Sequence, residues 1–173
     1  IDLSAIAHNF GIVKRIAKNR KVIAVVKADA YGHGSREVSK RLVKEGASYL
    51  AVAYTDEAIE LRSAGIGAPL VVLFDSENIN DFFDFHLIPV IHDLKTALAL
   101  SRKSREKGTA IQVHVKIDTG MGRLGLGGNH LIEDVIKIAE MEGIEVAGIM
   151  SHFSEADLSD RSFAILQLER FRE

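Results

Sequence analysis

Lys27 is the first residue whose type and position could carry covalent chemistry. It lies near the end of a predicted apolar strand, Lys21–Ala28, and a loop of small residues follows it. In parallel α/β folds, active sites form at the C-terminal ends of the strands. Partial desolvation there favours the uncharged amine, which is a nucleophile or a Schiff-base former. By position alone, an ordinary strand-end lysine that reaches solvent is the better interpretation.

A second candidate region is the predicted strand Ala110–Asp118. Its alternation predicts that apolar side chains occupy one face, whereas the other face carries Gln112, His114, Lys116 and Asp118. A strand buried on both faces should be apolar on both. The polar face therefore either lines a site or belongs to an edge strand with one solvated face, and periodicity favours neither interpretation.

The loop after this strand contains a formal GxGxxG pattern at Gly120, Gly122 and Gly125. A dinucleotide site would need a helix that opens within the loop and an acidic residue at the end of the next strand. Instead, further glycines prolong the loop, and the next strand ends in Ser151 and His152. The sequence therefore disfavours a dinucleotide site.

His152 is the third candidate, since it directly follows the predicted strand Glu145–Met150. A lone histidine at a strand end is more often a structural residue. No two of the seven histidines have metal-ligand spacing such as HExxH, and the chain has no cysteine for a disulfide, a thiolate or a zinc ligand. We predict no metal site.

The elements that must position these residues alternate along the chain. Helices are predicted between the strands, with Ser4 and Ser35 as N-caps, and with Thr55 beginning a helix whose first turn contains Asp56 and Glu57. The six predicted strands are Lys21–Ala28, Tyr49–Tyr54, Pro69–Phe74, Leu87–Ile91, Ala110–Asp118 and Glu145–Met150. Such alternation predicts an α/β fold with a parallel sheet, closed either as a doubly wound sheet or as a (β/α)8 barrel.

Composition limits the function classes. The 173 residues are 47% hydrophobic and 27% charged, with a formal net charge of −2, which is typical of one globular domain. The charge balance disfavours a nucleic-acid partner. No apolar run approaches the roughly 20 residues that cross a membrane, and no signal-like segment precedes Ile1. We therefore expect a soluble, cytoplasmic protein.

The segment VVKADAYGHG, residues 25–34, closely resembles the pyridoxal-phosphate signature of alanine racemases. The resemblance implies that Lys27 forms the Schiff base with pyridoxal 5'-phosphate and also acts as one of two catalytic bases. It implies that Tyr31 contacts the cofactor phosphate. This long motif favours Lys27 as a Schiff-base lysine over the interpretation, preferred by position alone, of an ordinary lysine that reaches solvent.

The segment VKIDTGMGRLG, residues 115–125, resembles a second motif of the same family. The resemblance implies that Arg123 contacts the substrate carboxylate and the phenolic oxygen of the cofactor, a role that suits the permanently charged guanidinium fork. It also implies that Lys116 is the lysine carbamylated in many family members. A carbamate on Lys116 would be an anionic partner for Arg123, whereas a charged amine would repel it, and the modification is a hypothesis for this chain.

The segment GIMSHFSEAD, residues 148–157, resembles the motif after the sixth barrel strand. The resemblance implies that His152 belongs to a hydrogen-bond chain that links a catalytic tyrosine to the arginine beneath the pyridine ring. Because the likeness extends from the first residues to the last, it implies strands one to six of a (β/α)8 barrel. Residues 1–173 would then be the N-terminal part of that cofactor-binding barrel, about six of its eight βα units, without the C-terminal β domain.

The function implied is pyridoxal-phosphate-dependent racemisation of L-alanine to D-alanine for peptidoglycan synthesis, by a homodimer. The family's second base, a tyrosine of the partner subunit, and the ligands after strands seven and eight have no counterpart here. A barrel also needs about 250 residues. We therefore expect negligible racemase activity from this chain alone, weak cofactor binding at most, and exposed strand edges covered by another copy or another chain. The alternatives are a serine or broad-specificity racemase, and a non-catalytic cofactor-binding or structural fragment.

Overall fold

The structure, a computed structural model, describes residues 1–173 and contains six strands, all paired in parallel. Helices separate the strands along the chain, which confirms the predicted α/β fold class. The chain divides into two compact units, Ile1–Pro89 and Val90–Glu173. No helix is long and apolar enough to cross a membrane.

The first unit contains the strand order β1-β2-β3-β4, with the last strand continuing into the second unit. Its elements are α1 Leu3–Ala17, β1 Ile23–Val25, α2 Lys27–Gly32, α3 Ser35–Lys44, β2 Tyr49–Val52, α4 Thr55–Ser63, β3 Leu70–Val72, α5 Ile79–Asp84 and β4 Leu87–Ile91. Strands β3 and β4 are buried at every position, as expected for parallel strands covered on both faces. The register aligns Val25 with Ala51, and Val52 with Val72, so that the C-terminal ends of the first three strands lie at one edge.

The second unit contains α6 Leu94–Lys107, β5 Ile111–Lys116, α7 Leu131–Ala139, β6 Ile144–Met150 and α8 Ser162–Arg172. Strand β5 pairs with Val90 and Ile91 on one side and with β6 on the other. It is therefore not an edge strand, and that interpretation of its polar face is wrong. Helix α7 begins only at Leu131, beyond the glycine-rich loop, so the loop lacks the helix start that a dinucleotide site requires.

The predicted N-caps Ser4 and Ser35 are both wrong, because each lies inside its helix and a carboxylate bonds to the first turn instead. Helix α1 is capped by Asp2, whose carboxylate accepts from the backbone N–H of Ser4 at 2.8 Å. Helix α3 starts at Ser35, and the backbone N–H of that residue donates to Asp29 at 2.6 Å. In both cases a nearby carboxylate satisfies the free N–H groups of the first turn, and as an ionised acceptor it binds them more strongly than a hydroxyl.

Candidate active site

The segment that carries Lys27 is a left-handed turn. Strand β1 ends at Val25, so Lys27 lies just beyond the strand rather than inside it. The next four residues, Ala28 to Tyr31, all have φ between 50° and 57°. This conformation costs an L-residue about 1–2 kcal/mol, because its Cβ approaches the following carbonyl oxygen. Such a run persists only where the surroundings hold it in place.

Backbone and carboxylate contacts hold the far end of this turn. The Asp29 carboxylate accepts from the N–H of Ser35 at 2.6 Å, and its carbonyl accepts from the N–H of Gly34 at 2.9 Å. The N–H of Ala30 donates to the carbonyl of Val26 at 2.9 Å. The hydrogen bonds from Ser35 lower the pKa of the Asp29 carboxyl below its ordinary value. The turn is thereby fixed to the start of helix α3.

Glu57 holds the near end of the turn. One carboxylate oxygen accepts from the N–H of Ala28 at 2.5 Å. The other oxygen accepts from the N–H of Ala53 at 2.7 Å and from that of Tyr54 at 3.1 Å. The sequence predicted Glu57 only as a first-turn residue of its helix. The pattern Tyr54-Thr55-Asp56-Glu57 does place a glutamate at the third helical position, where capping-box glutamates occur, but it gives no sign of the contact with Ala28.

The side chains of Lys27 and Tyr31 are both at least partly accessible to solvent. Lys27 is half-buried, with its Nζ 5.2 Å from the centroid of the Phe74 ring, a distance at which a cation and an aromatic face attract each other. Tyr31 is 60% exposed. The first unit therefore places an amine and a phenol in one turn at the C-terminal end of β1.

In the second unit, an aspartate organises the loop that carries Arg123. The Asp118 carboxylate accepts from the N–H groups of Gly120 and Gly122, each at 2.9 Å. Burial raises the pKa of the Asp118 carboxyl, but these backbone donors, with that of Met121 and the charge of Lys116, bring it below its ordinary value. The carboxylate thus remains ionised and folds the loop back on itself.

The loop closes against the end of β5. The N–H of Leu126 donates to the carbonyl of Lys116, and the N–H of Asp118 donates to the carbonyl of Leu126, both at 2.8 Å. Gly125 is required by this closure, since a Cβ at that position would lie 2.8 Å from the Asp118 nitrogen. Arg123 lies on the exposed part of the loop.

The polar face of β5 is largely buried. His114 is 6% exposed and Lys116 is 9% exposed, whereas Gln112 is exposed. Burial lowers the pKa of the His114 imidazole. Burial and then the charge of Arg123 lower the pKa of the Lys116 amine, against a smaller opposing effect of Asp118. Lys116 and Arg123, both predicted site residues, therefore interact electrostatically in this unit.

His152 follows β6 and is held through its backbone. Its carbonyl accepts from the side-chain amide of Gln167 at 3.0 Å, and the Gln167 carbonyl oxygen accepts from the N–H of Ser154 at 3.0 Å. Gln167 is 1% exposed, and its neighbour Thr119 shares a hydrogen bond of 2.8 Å with Ser151. Helix α8 thus joins the segments that follow β5 and β6. The sequence did not identify Gln167, because a single glutamine in an amphipathic helix carries no such signal.

The predicted site residues are distributed over both units. Lys27 and Tyr31 belong to the first unit, and Lys116, Arg123 and His152 belong to the second. No group of three or more histidine, aspartate or glutamate side chains could hold a metal ion.

Comparison with protein families gives one clear match. The sequence model described as "Alanine racemase, N-terminal domain" matches residues 1–173. A relative named alanine racemase from Thermodesulfovibrio yellowstonii is 44% identical over 175 residues, covering 99% of this chain and 47% of the relative. The chain belongs to the alanine racemase family, as its N-terminal domain. A second alanine racemase, from Carboxydothermus hydrogenoformans, is 41% identical over 173 residues, again with 99% of this chain and 47% of the relative covered.

Solved structures of alanine racemases have the same fold. The enzyme of Clostridium difficile 630 superposes with a TM-score of 0.94 at 34% identity, covering 99% of this chain and 46% of that one. The enzyme of E. faecalis gives a TM-score of 0.91 at 34% identity, covering 99% and 48% respectively. The predicted family and the predicted incomplete parallel barrel are therefore confirmed. The chain spans about half the length of these relatives.

Proposed function

We propose that the protein containing this alanine racemase domain interconverts L- and D-alanine with pyridoxal 5'-phosphate, and that Lys27 is its Schiff-base residue. The observation that carries the proposal is the half-buried amine of Lys27, directly after a parallel strand and in one turn with Tyr31, inside the family's signature segment. The activity belongs to proteins about twice as long, so the domain boundaries also remain a proposal: residues 1–173 form the N-terminal part of the cofactor-binding barrel.

The side chains present fit pyridoxal phosphate. The primary amine of Lys27, half-buried directly after a parallel strand, is the group that forms a Schiff base with an aldehyde. An exposed phenol four residues later can donate to a phosphate oxygen. When bound, this cofactor supplies the electron sink that makes the Cα proton of an amino acid acidic.

The residues of this chain then have distinct roles. Lys27 holds the cofactor and serves as the base for the face that handles the D-enantiomer, and Tyr31 binds the phosphate. Arg123 binds the substrate carboxylate as a bidentate fork. His152 belongs to the hydrogen-bond chain that orients the second base, a tyrosine supplied by the partner subunit of a homodimer. No metal takes part in this scheme, and its cellular setting would be cytoplasmic peptidoglycan synthesis.

Lys116 is the proposed site of a carbamate. The cationic side chain first loses one proton, and the uncharged amine then attacks carbon dioxide. A C–N bond forms, one C=O π bond of carbon dioxide breaks to give the carboxylate, and a second proton leaves the nitrogen, so that two protons are released and the cation becomes an anion. The lowered pKa of Lys116 favours the uncharged amine that this step needs. The product would turn the repulsion with Arg123 into attraction, which would orient the guanidinium.

Borohydride trapping tests the proposal. The longest protein encoded by the reading frame that contains this chain is incubated with pyridoxal phosphate, reduced and mapped by mass spectrometry. We expect the label on Lys27, loss of the label in Lys27→Ala, and an added carbon dioxide mass on Lys116 before reduction. Lys21→Ala is the matched control, because Lys21 also lies near an aromatic ring, that of Tyr49, at 5.6 Å.

A racemisation assay with a panel of L-amino acids fixes the substrate. Preferential turnover of alanine supports the proposal, whereas faster turnover of serine or of many amino acids would replace it with the broader racemase. An unlabelled Lys27 would favour a structural fragment. The 173 residues expressed alone should show negligible turnover, and robust racemisation of L-alanine by them would contradict that expectation.

A further inference from the structure

We propose that Glu57 is a positioning residue for Lys27, acting through the backbone N–H of Ala28. The inference rests on the proposed role of Lys27 as the Schiff-base residue. The hydrogen bonds of the Glu57 carboxylate go to backbone N–H groups, and none goes to the amine of Lys27.

The geometry of the carboxylate is the first argument. Its Oε1 accepts from the N–H of Ala28 at 2.5 Å, and this N–H belongs to the peptide group that directly follows the Cα of Lys27. Its Oε2 accepts from the two N–H groups after β2, those of Ala53 and Tyr54. One side chain therefore fixes the residues after β1 relative to those after β2. Hydrogen bonds to an ionised acceptor are about twice as strong as neutral ones.

The backbone of the turn is the second argument. Four consecutive non-glycine residues in the left-handed region would relax to another conformation without compensation. The contacts of Asp29 fix the end of the turn that leads into α3. The end next to Lys27 is held by the bond to Glu57, by the pairing of Val26 with Ala51 and by the bond from Ala30 to Val26, and of these the Glu57 bond alone comes from a side chain. Loss of the Glu57 bond would free the peptide group that sets the direction of the Lys27 side chain.

The support behind Glu57 is the third argument. Helix α4 begins at Thr55 and packs through Ala58 and Leu61, which are 0% and 1% exposed. A carboxylate on a packed helix holds its partners more firmly than one on a loop. Glu60, one turn later, makes only a surface ion pair with Arg36 at 3.0 Å. The same helix thus offers a matched control residue.

The test is the rate of borohydride-trapped pyridoxal-phosphate labelling at Lys27, measured against labelling at Lys21 in the same sample. Glu57→Gln keeps the shape of the side chain but replaces one acceptor oxygen with a donor group. A displacement near 1 Å at a reacting group can cost about a hundredfold in rate, so we expect the labelling ratio to fall by at least about tenfold. Glu57→Asp keeps the charge but is too short to reach both strand ends. Its labelling ratio should lie between those of the wild type and Glu57→Gln. Glu60→Gln should stay at the wild-type ratio.

A second control separates positioning from general loss of stability. The Arg62 guanidinium donates to the carbonyls of Ile66, Ala68, Phe85 and His86, at 2.6 to 3.0 Å. Arg62→Lys removes most of these bonds without touching the Lys27 turn, because a lysine lacks the guanidinium fork. At a temperature where both variants are folded, Arg62→Lys should keep the wild-type labelling ratio and Glu57→Gln should not.

The outcomes of these experiments distinguish failure of the inference from failure of the proposed function. A folded Glu57→Gln with the wild-type ratio overturns the inference and leaves the proposed function intact, whereas an unlabelled wild type overturns the proposed function and the inference with it. If Glu57→Gln does not fold, Glu57→Asp and hydrogen exchange in the wild type decide. Slow exchange at Ala28, Ala53 and Tyr54 together supports the inference, and fast exchange at Ala28 alone overturns it.

Discussion

The turn that carries Lys27 and the loop that carries Arg123 both follow a parallel strand, and both use backbone with positive φ, but they hold it differently. The Lys27 turn has four non-glycine residues in that region, fixed by the carboxylates of Glu57 and Asp29. The Arg123 loop uses glycines for the same region and a single carboxylate, that of Asp118. The turn carries backbone strain and needs a carboxylate from another element, that of Glu57, whereas the loop avoids the strain with glycines and is folded by its own Asp118.

This difference teaches how each segment can fix a functional side chain. Glycine removes the steric cost of positive φ but adds freedom, so the loop needs close packing against β5 to be unique. Non-glycine residues restrict the turn, but their strain must be balanced by hydrogen bonds from neighbouring elements. Substitutions that exchange the two strategies should therefore have opposite effects in the two segments.

The largest effect should come from Gly125→Ala in the loop. The new Cβ would lie 2.8 Å from the nitrogen of Asp118 and 3.0 Å from the carbonyl carbon of Ile117, at a φ of 134°. Overpacking and backbone strain together should lower the free energy of unfolding by about 2–4 kcal/mol, as measured by urea denaturation.

Gly128→Ala is the control for this loop. Its φ is 81°, but no atom lies within 4 Å of the position of the new Cβ. It should cost only about 1 kcal/mol, the backbone strain alone. Equal losses for the two variants would show that close packing of Gly125 against β5 does not hold the loop.

A smaller effect of opposite sign should come from Ala28→Gly in the turn. Glycine relieves about 1–2 kcal/mol of left-handed strain at φ 50° and loses about 0.5–1 kcal/mol to the freedom of the unfolded chain. The N–H that donates to Glu57 is retained. We expect the free energy of unfolding to rise by about 0.5–1 kcal/mol in the same urea assay.

Ala7→Gly, in the right-handed helix α1, is the matched control in the same unit. It should lower the free energy of unfolding by about 1 kcal/mol, as glycine does in ordinary helices. A loss of similar size for Ala28→Gly would mean that the turn is not strained.

The smallest effect should be a pH dependence in the second unit. Burial lowers the pKa of His114, so the folded state resists a proton that the unfolded chain accepts near pH 6.5. The unfolded state then binds more protons, and stability must fall as the pH drops from 7 towards 5. Carboxyl groups with a lowered pKa, such as that of Asp118, stay ionised in both states between pH 7 and pH 5. Their contribution to the free energy of unfolding is lost only below about pH 4, so they do not cause this pH dependence.

Hydrogen exchange locates this effect. Amides of β5 should lose protection between pH 7 and pH 5 after correction for the intrinsic exchange rate, and His114→Asn should flatten the dependence. An unchanged slope in His114→Asn would assign the dependence to another group.

The sequence predicted the bounds of several helices and strands correctly. The apolar run Leu87–Ile91 is a strand with those bounds, and Thr55 begins helix α4 as expected. The first strand was predicted to run to Ala28, but β1 ends at Val25. The apolar residues continue beyond the strand, whereas the left-handed turn begins with Lys27. The roles of Glu57 and Gln167 could not be predicted, because each side chain bonds to a backbone group of a segment distant in the sequence.

The sequence by itself determined the fold class, the family and the candidate chemistry, since alternating apolar segments and long local motifs need no knowledge of distant contacts. Tertiary structure alone decided that Lys27 begins a left-handed turn, that the polar face of β5 is buried, and which groups hold each segment. The physical reason is that a left-handed backbone or a buried lysine is locally unfavourable. Only hydrogen bonds and packing from other elements make such features stable.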